Sequence, residues 1–140
     1  MGQIVIVYYS ETGNTEAMAN MVAKGVEAAG ATAKIVSVDG FDAAELKEEA
    51  AFALGCPAMG DEVLEEGTME PFVEEVAKFA AGKKIGLFGS YGWGDGEWMR
   101  TWEESCKNDG AELVCDSVIC ADAPDDEAEA ACIALGKALC

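Results

Sequence analysis

The chain has 140 residues, 51% of them hydrophobic and 26% charged, which excludes a disordered polymer and suits a single domain with one sizeable core. Twenty-seven acidic residues against nine basic ones, with no histidine, give a net charge of −18. Such a field repels nucleic-acid phosphates and anionic membrane surfaces and draws in basic protein faces, although it serves solubility equally well.

The first run, Ile4-Val5-Ile6-Val7-Tyr8-Tyr9, is apolar throughout and rich in β-branched and aromatic residues, the pattern of a strand covered on both faces. It has no basic leader and is too short for a signal segment or a membrane span, so a reducing cytoplasm is the expected location. Met18, Met21, Val22, Val26 and Ala29 then recur at helical spacing, with Gly30 as the stop. Ala33 to Val38 predicts a second strand, and Asp42 with Glu45 has the spacing of a capping box. Ala50 to Cys56 predicts a third strand despite its alanine content. Phe72, Val73, Val76, Phe79 and Ala80 mark the next helix, with Pro71 in its first turn and Gly82 beyond its end. Lys84 to Gly89 predicts a fourth strand, and Met99, Trp102 and Cys106 stripe a helix that Gly110 ends. Glu112 to Cys120 predicts a fifth strand with an irregularity at Asp116-Ser117. Ala128, Ala131, Cys132, Leu135 and Leu139 define a closing helix opened by Pro124-Asp125.

Five strands alternating with helices imply an α/β fold with an open parallel sheet, and right-handed crossovers favour the strand order 2-1-3-4-5 at this length. The six cysteines contain no CxxC pair. Cys56, Cys115 and Cys120 in strand-like runs and Cys106 and Cys132 at apolar helix positions read as small buried hydrophobes rather than disulfides, and no metal site is expected.

Ligands of such a sheet bind beyond the carboxyl ends of the strands, where strand order reverses. Three segments after strand ends stand out, and their strands are neighbours in the expected order. The first, Ser10-Glu11-Thr12-Gly13-Asn14-Thr15, runs into a helix start, where free backbone N–H groups and partial positive charge suit a phosphate. It holds neither lysine nor arginine, which argues against a P-loop nucleotidase and for one phosphate held by neutral donors. The same residues also suit a capped helix start with no ligand. The second, Pro57-Ala58-Met59-Gly60-Asp61-Glu62, offers a polarisable thioether to cover a ring, a permissive glycine, and acids that either accept a ring N–H or are ordinary turn acids. In the third, Ser90-Tyr91-Gly92-Trp93-Gly94-Asp95-Gly96, alternate glycines leave the Trp93 indole on a loop, placed to stack on a planar ring or to lid the core.

Together these loops resemble those of the flavodoxins, specifically the short-chain bacterial, clostridial-type group. Tyr8-Tyr9-Ser10-Glu11-Thr12-Gly13-Asn14-Thr15 resembles that group's phosphate loop. Gly55-Cys56-Pro57-Ala58-Met59-Gly60 resembles its first flavin loop, and Gly86 to Gly96 its second, nearly residue for residue. Glu11 departs from the pattern, standing where glycine is common, and Tyr9 stands where tryptophan is common.

The resemblance implies a flavodoxin-like three-layer sandwich over residues 1–140, forming one FMN-binding domain. It implies FMN held at its phosphate by Ser10, Thr12, Asn14, Thr15 and the backbone N–H groups of Glu11 and Gly13. Trp93 and Met59 would cover the two ring faces, beside Pro57, Ala58 and Asp61. Glu62 would accept from the ring N3–H, Gly60 would offer its carbonyl to N5–H, and Ser90, Tyr91, Gly92 and Gly94 would line the ring. The function implied is a monomeric one-electron carrier working on the semiquinone/hydroquinone couple between redox proteins with basic docking faces, without substrate chemistry. A small flavin-dependent quinone or metal reductase is the competing expectation. Such an enzyme needs a substrate pocket over the ring, for which this chain has no spare segment.

Overall fold

The computed structural model describes residues 2–10, 13–59, 64–92, 94 and 96–140. Strand β1 (Gln3–Tyr8) leads to helix α1 (Asn14–Ala28), then β2 (Thr32–Ser37), a 3₁₀ turn (Ala43–Leu46), β3 (Ala51–Gly55) and α2 (Met69–Ala77). Strand β4 (Lys84–Tyr91), α3 (Glu97–Asn108), β5 (Glu112–Leu113), β6 (Val118–Ala121) and α4 (Asp126–Ala138) complete the chain. All strand pairs are parallel, in the order β2-β1-β3-β4-β5, with β6 also paired to β4. Both the fold class and the strand order expected from the sequence are therefore observed.

The alternation along each strand builds two cores. Val5, Val7, Phe52, Leu54, Ile85 and Leu87 face a cluster completed by Phe72, Trp98 and Trp102. Ile4, Ile6, Ala53 and Phe88 face the opposite cluster, completed by Met18, Val22, Val26, Cys132 and Leu135. A strand with apolar residues in both phases must be covered on both sides, which is why β1 reads as an unbroken apolar run. The expected Asp42 cap is present, its carboxylate accepting from Ala44 N–H at 2.9 Å, but it opens a single 3₁₀ turn.

Some local expectations are corrected. The irregularity expected at Asp116-Ser117 is present but wider, and it splits the fifth strand: Lys84 pairs with Glu112 while Phe88 pairs with Val118, so the edge spends two more residues than β4 over that stretch. The excess leaves the ladder between Leu113 and Val118, carrying Cys115 to an exposed position rather than the buried one its apolar run implied. Cys120 is only half-buried, and Ala131 on α4 is exposed. Cys56, Cys106 and Cys132 are buried, and burial pushes each thiol up to about 12, so they remain neutral apolar fillers.

Helices α1 and α4 lie against each other through two glycines. A Cβ at Gly136 would meet the carbonyl oxygen of Val22, and one at Gly25 would meet that of Ile133. Neither contact is with a flexible side chain, so the helices would have to separate. Gly136→Ala gains about 1 kcal/mol of helix propensity but is expected to lose more by overpacking, for a net destabilisation of roughly 1–2 kcal/mol in urea unfolding. A stabilised Gly136→Ala variant would show that the two helices can move apart freely.

Candidate functional site

The ladder joining β1, β3 and β4 continues past the strand ends. Tyr9 N–H donates to Gly55 O at 2.9 Å, Cys56 N–H to Phe88 O at 3.1 Å, and Ala58 N–H to Ser90 O at 3.0 Å. These bonds carry the three sequence-predicted loops out of the sheet side by side. Trp98 on α3 reinforces them, its indole Nε1–H donating to Cys56 O at 3.0 Å. Gly89 leaves the space for that carbonyl, since a Cβ there would strike Cys56 O.

In the first loop, Gly13 is the N-cap of α1 with φ 93°, a left-handed conformation that favours glycine. Ser10 Oγ accepts from Gly13 N–H at 3.0 Å and from Glu16 N–H at 3.4 Å. A side-chain oxygen thus already sits among the free N–H groups of the helix start, the same donor chemistry that receives a phosphate oxygen. Asn14 opens α1 and faces the cleft, whereas Thr15 is buried, with Oγ1 3.2 Å from Ser90 Oγ. That buried pair ties the first loop to the third. Glu11 and Thr12 lie outside the described residues, as do Gly60, Asp61, Glu62 and Trp93.

Pro57, Ala58 and Met59 form one wall of a cleft of about 140 Å³, and Ser90, Tyr91 and Gly92 form another. Gly94 is exposed beside it, with φ 89°. Tyr91 is held against Trp98, ring centroids 5.7 Å apart and tilted by 53°. A residue that sequence reasoning did not assign, Asp122, completes the described walls. Its N–H donates to Tyr91 O at 2.8 Å and its φ is 56°, a left-handed conformation that aspartate tolerates better than most residues. The available signal was its position just after the last strand, at the carboxyl edge of the sheet. No lysine or arginine is among the described cleft walls. A larger groove of about 620 Å³ runs beside β6, but it lies away from the helix start where the neutral donors gather.

The second loop is clamped at its far end by Glu65. Its carboxylate accepts from Gly67 N–H at 2.7 Å, Thr68 N–H at 2.7 Å and Met69 N–H at 2.8 Å, satisfying the start of α2. Its own N–H donates to Cys56 Sγ at 3.5 Å, closing the loop on its other stem. Desolvation pushes the Glu65 carboxyl up, but the N–H donors of Met69, Thr68 and Gly67 outweigh it and hold the group below its ordinary value.

A family profile described as Flavodoxin matches residues 6–136. The chain is 50% identical over 132 residues to the flavodoxin of Clostridium beijerinckii, covering 94% of this chain and 95% of that one. It is 44% identical over 135 residues to the flavodoxin of Megasphaera elsdenii, covering 96% of each. The solution structure of two-electron reduced Megasphaera elsdenii flavodoxin superposes with a TM-score of 0.88 over 99% of this chain and 98% of that one. The chain belongs to the flavodoxin family. Flavodoxins bind FMN and carry electrons to and from redox partner proteins rather than catalysing a substrate reaction. No described helix is long and apolar enough to cross a membrane. No cluster of His, Cys, Asp or Glu among the described residues could hold a metal ion.

The site generates two predictions. Glu65→Ala is expected to cost about 0.5–2 kcal/mol, as loss of an N-cap does. Because the folded carboxyl is held low, the stability it contributes is complete above the ordinary glutamate value of about 4.3 and is lost as pH falls below it. Unfolding of Glu65→Gln should therefore show a shallower acid limb than the parent, and an unchanged limb would remove Glu65 from this role. Breaking the Thr15–Ser90 pair from one side strands a buried hydroxyl, so Thr15→Val should cost about 1–3 kcal/mol. The double variant Thr15→Val/Ser90→Ala should cost less than the sum of the single ones, measured by a denaturant cycle.

Proposed function

We propose that one FMN lies in the cleft beyond β1, β3 and β4, and that residues 1–140 form a single monomeric cytoplasmic domain shuttling single electrons between a reductase and acceptor proteins. The observation that carries this reading is the meeting of a cation-free helix start with a cleft walled by Pro57, Met59 and Tyr91 at the sheet's carboxyl edge. The donor set fits FMN: N–H groups already directed to an oxygen suit its phosphate, and the thioether and aromatic walls suit its flat ring.

In this reading Ser10, Thr12, Asn14 and the N–H groups of Glu11 and Gly13 grip the phosphate. Thr15 and Ser90 join the two loops beneath it. Trp93 and Met59 cover the ring faces, with Pro57, Ala58, Asp61, Tyr91, Gly92 and Gly94 around them. Glu62 accepts from the ring's N3–H, and Gly60 presents its carbonyl at N5, where a glycine allows the turn to change type. Bound FMN supplies the one-electron chemistry. The chain's part is electrostatic: Asp122 and a cleft without cations raise the cost of negative charge arriving on the ring. Each 1.4 kcal/mol of that cost lowers a one-electron potential by about 59 mV. The charge of −18 supports partners that dock through basic faces.

Titrating the folded apoprotein with FMN should shift and sharpen the visible band at one equivalent. Trp93→Ala should weaken binding about tenfold, the loss of one stacking contact of about 1.4 kcal/mol. A folded protein that leaves the FMN spectrum unchanged would overturn the assignment.

A further inference from the structure

The larger groove adjoins the cleft assigned to FMN, because Tyr91 lines both. Its floor is the outer edge of β6 and its far bank is α4, where Ala128, Ala131 and Ala134 leave little side-chain bulk. Glu112 N–H bonds Lys83 O, Val114 N–H bonds Ile85 O, and Asp122 N–H bonds Tyr91 O, so the even-numbered residues of this edge turn toward β4. The parallel ladder alternates, which turns the peptide groups of Ile119 and Ala121 outward, with no strand beyond them among the described residues. Ile119 is one of two large hydrophobic residues described as exposed, and Ser117, which also lines the groove, has a buried hydroxyl oxygen without a hydrogen-bond partner.

An open strand edge invites pairing, and this one is flanked by Asp116, Asp125 and Glu127, with no cation among its lining residues. A second copy of the chain is a poor occupant, since each would bring a charge of −18. We propose that a basic, extended segment of a redox partner docks here by adding a strand to β6, its lysines or arginines reaching the three acids and its backbone meeting Ile119 and Ala121. Strand addition supplies main-chain hydrogen bonds while the charges supply selectivity and fast encounter. Docking in this groove would place the partner against Tyr91, beside the FMN cleft. The inference rests on the electron-carrier reading above, but its test does not depend on electron transfer.

The test uses FMN-loaded protein and a capped five-residue peptide alternating lysine and valine, followed by amide chemical shifts. Shifts concentrated on Val118–Ala121 and Asp125–Ala128 are expected. An N-methylated version of the same peptide keeps the charge but cannot pair as a strand, so its affinity should drop about tenfold or more. Neutralising the acids by Asp116→Asn, Asp125→Asn and Glu127→Gln together should also weaken the peptide about tenfold, and asparagine at 125 preserves the helix cap. Ile119→Pro adds a second arm, because proline is tolerated where the edge N–H faces outward, and it should abolish the localised shifts. Equal affinity of the two peptides, shifts spread over the acidic surface, or no binding would each overturn the proposal. Failure of FMN to bind would be seen separately, as a colourless protein.

Discussion

The backbone ladder between β1, β3 and β4 does not stop where the strands end, and the site depends on that overrun. Tyr9, Cys56 and Ala58 each donate to the neighbouring strand beyond or at the margin of their own. The loops that carry the neutral donors, the thioether and the glycines therefore leave the sheet already in register. Trp98 locks the middle one by bonding Cys56 O, and Gly89 makes the close approach possible. The described stems of these loops are thus held by hydrogen bonds to the sheet and not only by their own turns.

Within that frame, the side chains divide into those that meet the cleft and those that brace it. Asn14, Met59 and Tyr91 line it, whereas Thr15, Cys56 and Glu65 work from beneath or behind. Thr15 is chemically suited to phosphate, but its hydroxyl is buried against Ser90. The pairing joins the helix start to β4.

Much of this was legible in the sequence, for definable reasons. β1 and β4 are apolar in both phases, so their burial on both faces is encoded locally. Met99, Trp102 and Cys106 follow the helical stripe and are buried as it implies. What escaped are features set by distant partners. The Thr15–Ser90 pair joins residues 75 positions apart. Asp122 reaches the cleft only because β6 ends beside Tyr91, and Cys115 is exposed only because the edge strand leaves the ladder there. Glu65 is local but carries no signature, since a glutamate serving three N–H groups ahead of it differs from the usual Ser, Thr, Asp or Asn cap.

The large negative charge also has a direction that the topology explains. In a parallel α/β sheet, every helix after a strand begins at the carboxyl end of that strand, which is the ligand end. Helix starts favour carboxylates, because free N–H groups and the positive end of the dipole are there. Glu16, Glu70, Glu97 and Asp126 occupy first turns, while Glu65 and Asp125 accept helix-start N–H groups directly. Lys107 and Lys137 occupy last turns, Lys78 follows α2, and Lys84 opens β4, all toward the opposite rim. Ordinary helix stabilisation thus adds acid around the cleft and the β6 groove and places these four lysines away from both, while Arg100 in the first turn of α3 stays near Ile119. The same placement that holds each helix start then disfavours added negative charge at the ligand end and orients the molecule toward a basic partner.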